Sequence, residues 1–206
     1  MGRMVKPVEN IAMQQTPPPE SALSLTRRVA AGDETAARVL VSRLMNRVYR
    51  TCEYLANGSD GADLAQVALM EIVRSAGGFR EESSLEYWAD RITVRCAAKV
   101  FAKRDRRRRI RDAFFVPSPV QADLERQAAL GQVRARLQHH LSALPEKQRI
   151  VVVLHYLHEY DVPEISALLD ERTNTVRSRL SRGLSRLRQR ILADRGLKEW
   201  IREGKG

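Results

Sequence analysis

Between Arg172 and Arg190 the chain holds seven arginines and no acidic residue. A guanidinium group carries a permanent charge and a planar fork of donors, so such a density suits phosphate. At 3.6 residues per turn, Val176, Leu180, Leu184, Leu187 and Ile191 fall within about 80° of one another and make a stripe that a core must cover. Asn174, Thr175, Ser178, Arg182 and Ser185 point directly away, with Arg179 and Arg186 on one flank and Arg177 and Arg188 on the other. Short polar side chains at a helix start can reach base edges in a major groove while flanking arginines neutralise phosphates. The helix N-terminus, preceded by Arg172, adds its own attraction for a phosphate. An ordinary solvated face mixes charge signs, because i,i+4 ion pairs favour mixing. The segment is therefore expected to bind DNA.

Other side chains with chemical capacity are poorly arranged for it. His139-His140 and His155-x-x-His158 bring no carboxylate or cysteine at a fixed spacing, and His158-Glu159 does not open a His-Glu-x-x-His pattern, so no metal site is expected. Cys52 and Cys96 are far apart and sit in helical patterns, which reads as two buried thiols. A glycine-rich phosphate loop, a nucleophile elbow and a spaced acidic pair are all missing, so neither catalysis nor a cofactor is expected.

The basic helix needs elements to hold it. Asp161 with Glu164 forms a capping box that opens a short helix with Ile165, Leu168 and Leu169 inward. Asp170-Glu171-Arg172 is a tight turn, and the longer helix starts at about Thr173, which is helix-turn-helix spacing. Upstream, Pro145 stands at a helix start, followed by the apolar face of Ile150, Val151, Leu154 and Leu157. In the first half, helices are expected at about 21–31, 33–56 and 62–75, then from a capping box of Ser83 and Glu86 to about Arg104. That last helix carries two apolar stripes, Leu85, Trp88, Ala89, Ile92, Cys96 and Val100 on one side and Tyr87, Val94 and Phe101 on the other, with Arg91 and Arg95 alongside. Such a helix is buried all round or meets a partner, and burial is the expectation. Lys103 to Arg111 holds seven basic residues and one acid, leading into Pro117-Ser118-Pro119, as a linker does. The expected fold is all-α: two small helical domains joined by a basic flexible linker, the C-terminal one containing the helix-turn-helix. The bounds are a disordered tail at 1–20, a helical domain at 21–104, the linker at 105–128, the second domain at 129–194 and a tail at 195–206.

Composition agrees with a nucleic-acid partner. Over 206 residues, 36 Lys+Arg against 25 Asp+Glu give a formal charge of +11, the excess expected of a chain that meets a polyanion. An apolar content of 43% supplies a core, and the longest apolar run, Ile150 to Leu154, falls far short of the roughly 20 residues that cross a bilayer. No signal-like segment opens the chain, so a cytoplasmic location without direct membrane insertion is expected.

These residues resemble a known family. Leu144-Pro145-Glu146-Lys147-Gln148-Arg149, Glu164-Ile165 and Thr175-Val176-Arg177-Ser178-Arg179-Leu180 are similar to the C-terminal DNA-binding domain, region 4, of the extracytoplasmic-function (ECF) type of bacterial RNA polymerase sigma factor. Gly32-Asp33-Glu34, Val48-Tyr49, Asp63-Leu64-x-Gln66, and Phe79-Arg80 through Trp88 with Arg91-Ile92 resemble its N-terminal domain, region 2. The resemblance covers about Ala22 to Ile191 in the family's order. It implies an alternative sigma factor that binds core RNA polymerase and promoter DNA and is regulated by an anti-sigma factor. Asp63 and Gln66, with Val67 and Met70, correspond to the face that docks on the polymerase clamp helices. Phe79, Arg80, Tyr87, Trp88, Arg91 and Arg95 correspond to the part that captures the minus-ten strand, where flipped bases need a stacking surface and cations. Trp88 also falls in the core stripe, so plain packing competes for it. Arg172, Asn174, Thr175, Arg177, Ser178, Arg179, Arg182 and Arg186 correspond to the minus-thirty-five contact.

Departures from the family's pattern are local. Ala62 and Val67 replace acidic residues and Leu69 an aromatic one, which leaves two polar anchors in the docking helix. Asp170 stands where glycine is usual and tolerates a left-handed turn; Glu171 follows where an apolar residue normally packs. Arg95 replaces an asparagine, which bears on promoter preference. The chief alternative is a conventional helix-turn-helix regulator that binds operator DNA by itself as a dimer; a serine recombinase is disfavoured because Ser21 and Ser24, beside Arg27 and Arg28, fall in a helical pattern without the strand such an enzyme would use.

Overall fold

The computed structural model describes residues 20–56, 60–108 and 125–203, and among these every regular element is helical. The tail at 1–19, the turn at 57–59 and most of the basic linker lie outside the described residues.

Helix α1 (Ala22–Ala30) starts where the Ser21 hydroxyl accepts the Ser24 amide at 3.1 Å. It stops at Gly32, whose φ of 88° is open to a residue without a β-carbon. Asp33 then caps α2 (Glu34–Leu55) by accepting the Ala36 amide at 3.0 Å, and Arg28 donates to the same carboxylate from α1. Along α2, Leu40, Leu44, Val48 and Leu55 are wholly buried, the i,i+4 stripe of a helix with one core face. Helix α3 (Asp60–Arg74) packs across it, and Gly61 allows that approach, since a β-carbon there would stand 3.2 Å from the Glu53 Cα.

Helix α4 (Leu85–Arg108) begins one residue later than the expected capping box. Ser84, not Ser83, accepts the Tyr87 amide at 3.1 Å, and this start directs Leu85 into the core. Members of both apolar stripes are covered, since Leu85, Ala89, Ile92, Val94, Cys96, Ala97 and Phe101 are buried with the polar Asp90 and Thr93, but burial is not all round: Tyr87 and Trp88 are half-buried, and Arg91, Arg95, Ala98 and Lys99 stay exposed. The helix continues to Arg108.

The second half contains α5 (Glu125–Ser142), α6 (Glu146–Leu157), α7 (Val162–Leu169), α8 (Thr173–Ala193) and α9 (Arg195–Glu203). Pro145 is the residue that caps α6 rather than its first helical position, and its carbonyl accepts the Arg149 amide at 3.0 Å. The Asp161–Glu164 capping box at α7 is complete, each side chain accepting the other's amide. Val151, Leu154, Ile165 and Val176 are fully buried between α6, α7 and α8. Residues 195–203, expected as tail, form α9 instead. Asp194 nucleates it by accepting the Leu197 amide at 3.2 Å, and the Leu197 side chain is buried.

The halves are not held apart. One continuous apolar core joins Leu40, Val48, Leu85 and Phe101 of the first half to Ile150, Leu154, Ile165 and Val176 of the second. Helix α5 also reaches across, with Arg134 paired to Glu53 and its guanidinium 5.8 Å from the Tyr54 ring centroid.

Helices α6 and α8 cross so closely that a β-carbon on Gly183 would stand 2.9 Å from Val152 Cγ2. Gly183→Ala gains intrinsic helix propensity of up to about 1 kcal/mol yet is expected to lower stability by about 1–2 kcal/mol through overpacking. Thermal melts should show the loss, and adding Val152→Ala should leave the pair more stable than the sum of the two single changes.

Candidate nucleic-acid and polymerase interfaces

Helix α8 presents its face as the wheel requires. Val176 and Gly183 are buried, Leu180, Leu184 and Leu187 pack partly covered against the core, and Arg172, Asn174, Arg177, Arg182 and Arg186 are exposed. Thr175 and Ser178 are half-buried at the same end. The turn before α8 uses Asp170 in the left-handed region, φ 54° and ψ 48°, a conformation a short acidic side chain accepts. Glu171 does not sit in an apolar slot: its carboxylate is paired with Arg179, and its carbonyl accepts the Ser166 hydroxyl. Arg179 is thus neutralised and partly covered, unlike Arg182, which stands free in solvent on the outward face. Arg186 reaches back to the Gln148 amide oxygen at 3.2 Å.

On α3, Asp63, Gln66, Val67 and Met70 are all exposed, at the i, i+3, i+4 and i+7 spacing of one helical face. Their neighbours Leu64, Ala65, Ala68 and Leu69 are buried. Val67 and Met70, each 48% exposed, are large apolar groups left in water, as at a docking surface.

The residues matched to minus-ten capture divide. Arg80, Trp88, Arg91 and Arg95 line a single cleft with Phe79, Ile92 and the loop from Gly78 to Ser83. Phe79, expected as a stacking surface, is instead 5% exposed, its ring edge against Trp88 at 5.5 Å between centroids. Burial of a ring with no polar edge explains that outcome: Phe79 supports Trp88, which is half-buried and has a face toward the cleft loop. Glu81 turns the loop in the left-handed region, φ 59°. Tyr87 points elsewhere, its hydroxyl donating to the Glu164 carbonyl of α7 at 2.8 Å.

A polar cluster beside Tyr87 has no counterpart in any local sequence pattern. Asp90 has no exposed surface and accepts from Arg47 Nε at 3.0 Å, from Arg47 Nη2 at 2.6 Å and from the Tyr160 hydroxyl at 2.8 Å. Arg47 Nη2 also donates to the Tyr160 oxygen at 3.0 Å, which closes the ring of bonds. His158 Nε2 lies 2.8 Å from the Thr51 hydroxyl, with Nδ1 3.8 Å from the Asp90 carboxylate. An i,i+43 pairing of Arg47 with Asp90 and a partner beyond position 157 cannot be seen in local spacing.

Two further histidines are separately engaged. His140 Nε2 contacts Asp194 at 2.8 Å, which holds that carboxyl below its usual range, and His155 Nδ1 contacts the Tyr160 carbonyl at 2.8 Å. Among the described residues no group of three or more His, Cys, Asp or Glu converges on a metal position. Both thiols are buried, and burial pushes Cys52 up to about 12 and raises Cys96. They are therefore unreactive at neutral pH.

Comparison with known proteins follows the same division. A model of sigma-70 region 2 matches residues 40–108 and a model of sigma-70 region 4 matches residues 134–187, together more than half of the chain. The ECF RNA polymerase sigma-E factor of Escherichia coli K12 is 27% identical over 170 residues, covering 77% of this chain and 87% of the relative. The RNA polymerase sigma-H factor of Pseudomonas aeruginosa is 25% identical over 194 residues, 89% of this chain and 97% of the relative. Among solved structures, CnrH in complex with the cytosolic domain of CnrY superimposes with a TM-score of 0.59 at 20% identity, covering 85% of this chain and 99% of that one. The sigma factor RpoE in complex with the anti-sigma factor NepR from Bartonella quintana gives 0.59 at 21% identity, covering 75% and 96%. At those identities the two structures speak for the fold.

Burial, reinforced by Arg47 and Arg50 of α2 and opposed by Asp90 of α4, holds His158 down from 6.5 to about 4. His158 stays neutral in the folded chain but takes up a proton below about 6.5 when unfolded. Its contribution to stability is complete above that pH and is lost as pH falls toward about 4, at about 1.4 kcal/mol per unit. Between pH 7 and 5, urea titration should show a loss of about 2 kcal/mol that His158→Gln removes.

Proposed function

This chain belongs to the sigma-70 family in its ECF form, an alternative sigma factor that binds core RNA polymerase and directs promoter-specific transcription initiation, and we propose which of its surfaces carry each step. Asp63, Gln66, Val67 and Met70 of α3 dock on core polymerase, two polar anchors set among apolar contact. Arg80, Trp88, Arg91 and Arg95 receive the minus-ten strand in the cleft beside the Gly78–Ser83 loop, where arginines meet the backbone and the indole offers a stacking face. Tyr87 joins them from the adjoining face of α4.

Helix α8 enters the major groove of the minus-thirty-five element. Asn174, Thr175, Ser178 and Arg182 face base edges, Arg172, Arg177 and Arg186 neutralise phosphates, and Arg179 fixes the turn through Glu171. The observation that carries this assignment is the segregation on α8: an acid-free exposed face opposite a covered apolar stripe, following a short capped helix and a left-handed turn. The chain is a transcription initiation factor and supplies no catalytic group of its own to the polymerase.

An anti-sigma factor holds the chain inactive until a signal removes it; two of the similar structures are complexes with such partners or with a cytosolic domain of another protein. No helix of the described residues is long and apolar enough to cross a membrane. The work of the chain is placed in the cytoplasm, where polymerase and promoter are.

Run-off transcription with purified core polymerase on a genomic fragment library should yield a small set of promoter-specific transcripts. Absence of such transcripts, together with no co-elution with core, overturns the assignment, and tight palindromic binding by the chain alone favours a conventional dimeric regulator. Arg182→Ala should weaken selection of the minus-thirty-five element by about tenfold while core binding persists; equal loss of both contradicts the division of faces.

A further inference from the structure

The cleft beside the Gly78–Ser83 loop holds more charge than its packing uses. Arg91 and Arg95, one turn apart on α4, line it together with Glu81 and Glu82 of the loop, and all four are exposed. Among the described residues none of the four enters an ion pair, although Arg43 and Glu86, also partly exposed, close one at 3.3 Å. Cations and anions left unmatched in one small space suit a ligand that offers both acceptors and donors. Trp88 adds a half-buried indole, braced by the Phe79 ring at 5.5 Å between centroids. Glu81 keeps φ 59°, a left-handed conformation that a residue with a β-carbon adopts at a cost and that the surrounding structure must hold. The cleft encloses about 260 Å³, below the range of pockets that take drug-sized ligands. One planar heterocycle with both kinds of edge fits it.

Resting on the function proposed above, we infer that this cleft selects guanine: the minus-ten strand carries a guanine whose ring stacks on Trp88, whose O6 and N7 accept from the α4 arginines, and whose N1–H and N2–H2 donate to Glu81 and Glu82. Base chemistry makes the choice. A guanidinium fork is matched by two adjacent acceptors, which guanine presents at O6 and N7 and cytosine at N3 and O2. Carboxylates are matched by donors, and guanine alone has two side by side. Adenine sets its N6–H2 donor beside N7, against any arginine, and thymine has neither pair. Arginines alone would therefore leave guanine and cytosine close, and the two carboxylates separate them, since cytosine brings only N4–H2. A wrong base leaves a charged group unbonded, which costs more than the contact it fails to make. Arg95 carries the choice against adenine. It stands where the family pattern has asparagine, the side chain that pairs bidentately with adenine N6 and N7, whereas arginine pairs with guanine. Arg80, on the loop, remains for the backbone phosphate.

The test uses holoenzyme assembled from core polymerase and the full chain, with fluorescein-labelled single strands carrying the minus-ten segment of a promoter recovered by run-off transcription, each position held in turn as G, A, C or T. At one position guanine should bind about tenfold more tightly than any other base. Combining Glu81→Gln with Glu82→Gln should abolish the preference for guanine over cytosine there, and Arg95→Asn should move the preference toward adenine. A purely structural role for these side chains lowers binding of all four strands together and leaves their ratios as they were. That result overturns the inference, as does a wild-type preference for another base or for none. Should a variant fail to melt cooperatively, Arg95→Lys decides, since it keeps the charge, lacks the fork and should lose the guanine preference. If core polymerase gives no promoter-specific transcript with the wild-type chain, it is the sigma assignment that fails. The same four-base comparison on the free chain, with a labelled oligothymidine holding one central variable base, then decides the cleft alone.

Discussion

A carboxylate with no exposure to water must be matched by donors or it unfolds what surrounds it, and Asp90 is such a group at the meeting point of four helices. Arg47 supplies a two-nitrogen match from α2, which fixes the angle at which α4 crosses that helix. The Tyr160 hydroxyl fills a further acceptor position and brings the second half with it. Around this polar centre the apolar groups of both halves merge into one core, so the orientation of the helix-turn-helix relative to the cleft beside Arg80 and Trp88 is set by that core together with the pairing of one buried charge. Such a charge adds little net stability against an apolar replacement. What it does add is a specific arrangement, because only one docking geometry leaves Asp90 fully bonded.

Charge is distributed in keeping with that arrangement. The excess of +11 is not a uniform coat: a large share lies along α8, where acids are excluded from Arg172 to Arg190, and in the run from Lys103 to Arg111. Within the α8 set the arginines are not equivalent. Arg179 is consumed by Glu171, which stabilises the turn, whereas Arg182 is exposed and pairs with no acidic residue among the described residues. The departure from the family pattern at Glu171 thereby becomes intelligible, since an acid in place of an apolar packing residue is compensated by a basic partner eight residues on. Three of the histidines are paired with other side chains or with backbone and not with one another: His158 with Thr51 and Asp90, His140 with Asp194, and His155 with the Tyr160 carbonyl.

Much of the fold was legible because its causes are local. Asp33, Asp161 with Glu164, and Gly32 mark helix ends through bonds that span three or four residues, and they lie where the pattern put them. The stripe on α8 and the exposed quartet on α3 were equally visible, since helical periodicity alone decides which side chains share a face. Small errors arose where two local signals competed. Ser83 and Ser84 both fit a cap, and the burial of Leu85 selected the second; Asp194 capped a helix in a segment whose composition gave no reason to expect one.

Sequence by itself therefore determined the all-α class, the helix-turn-helix, the basic face and the family, all of which depend on residue type at short spacing. Tertiary structure alone decided that Phe79 is buried edge-on against Trp88, that Gly183 lets α8 lie against Val152, and that Arg47, Asp90, His158 and Tyr160 form one cluster. The cluster in particular depends on pairs 43 and 113 residues apart. An aspartate on a helix looks the same in sequence whether it faces water or a buried arginine. Its environment is set by which helices pack against it, and that is a property of the folded chain.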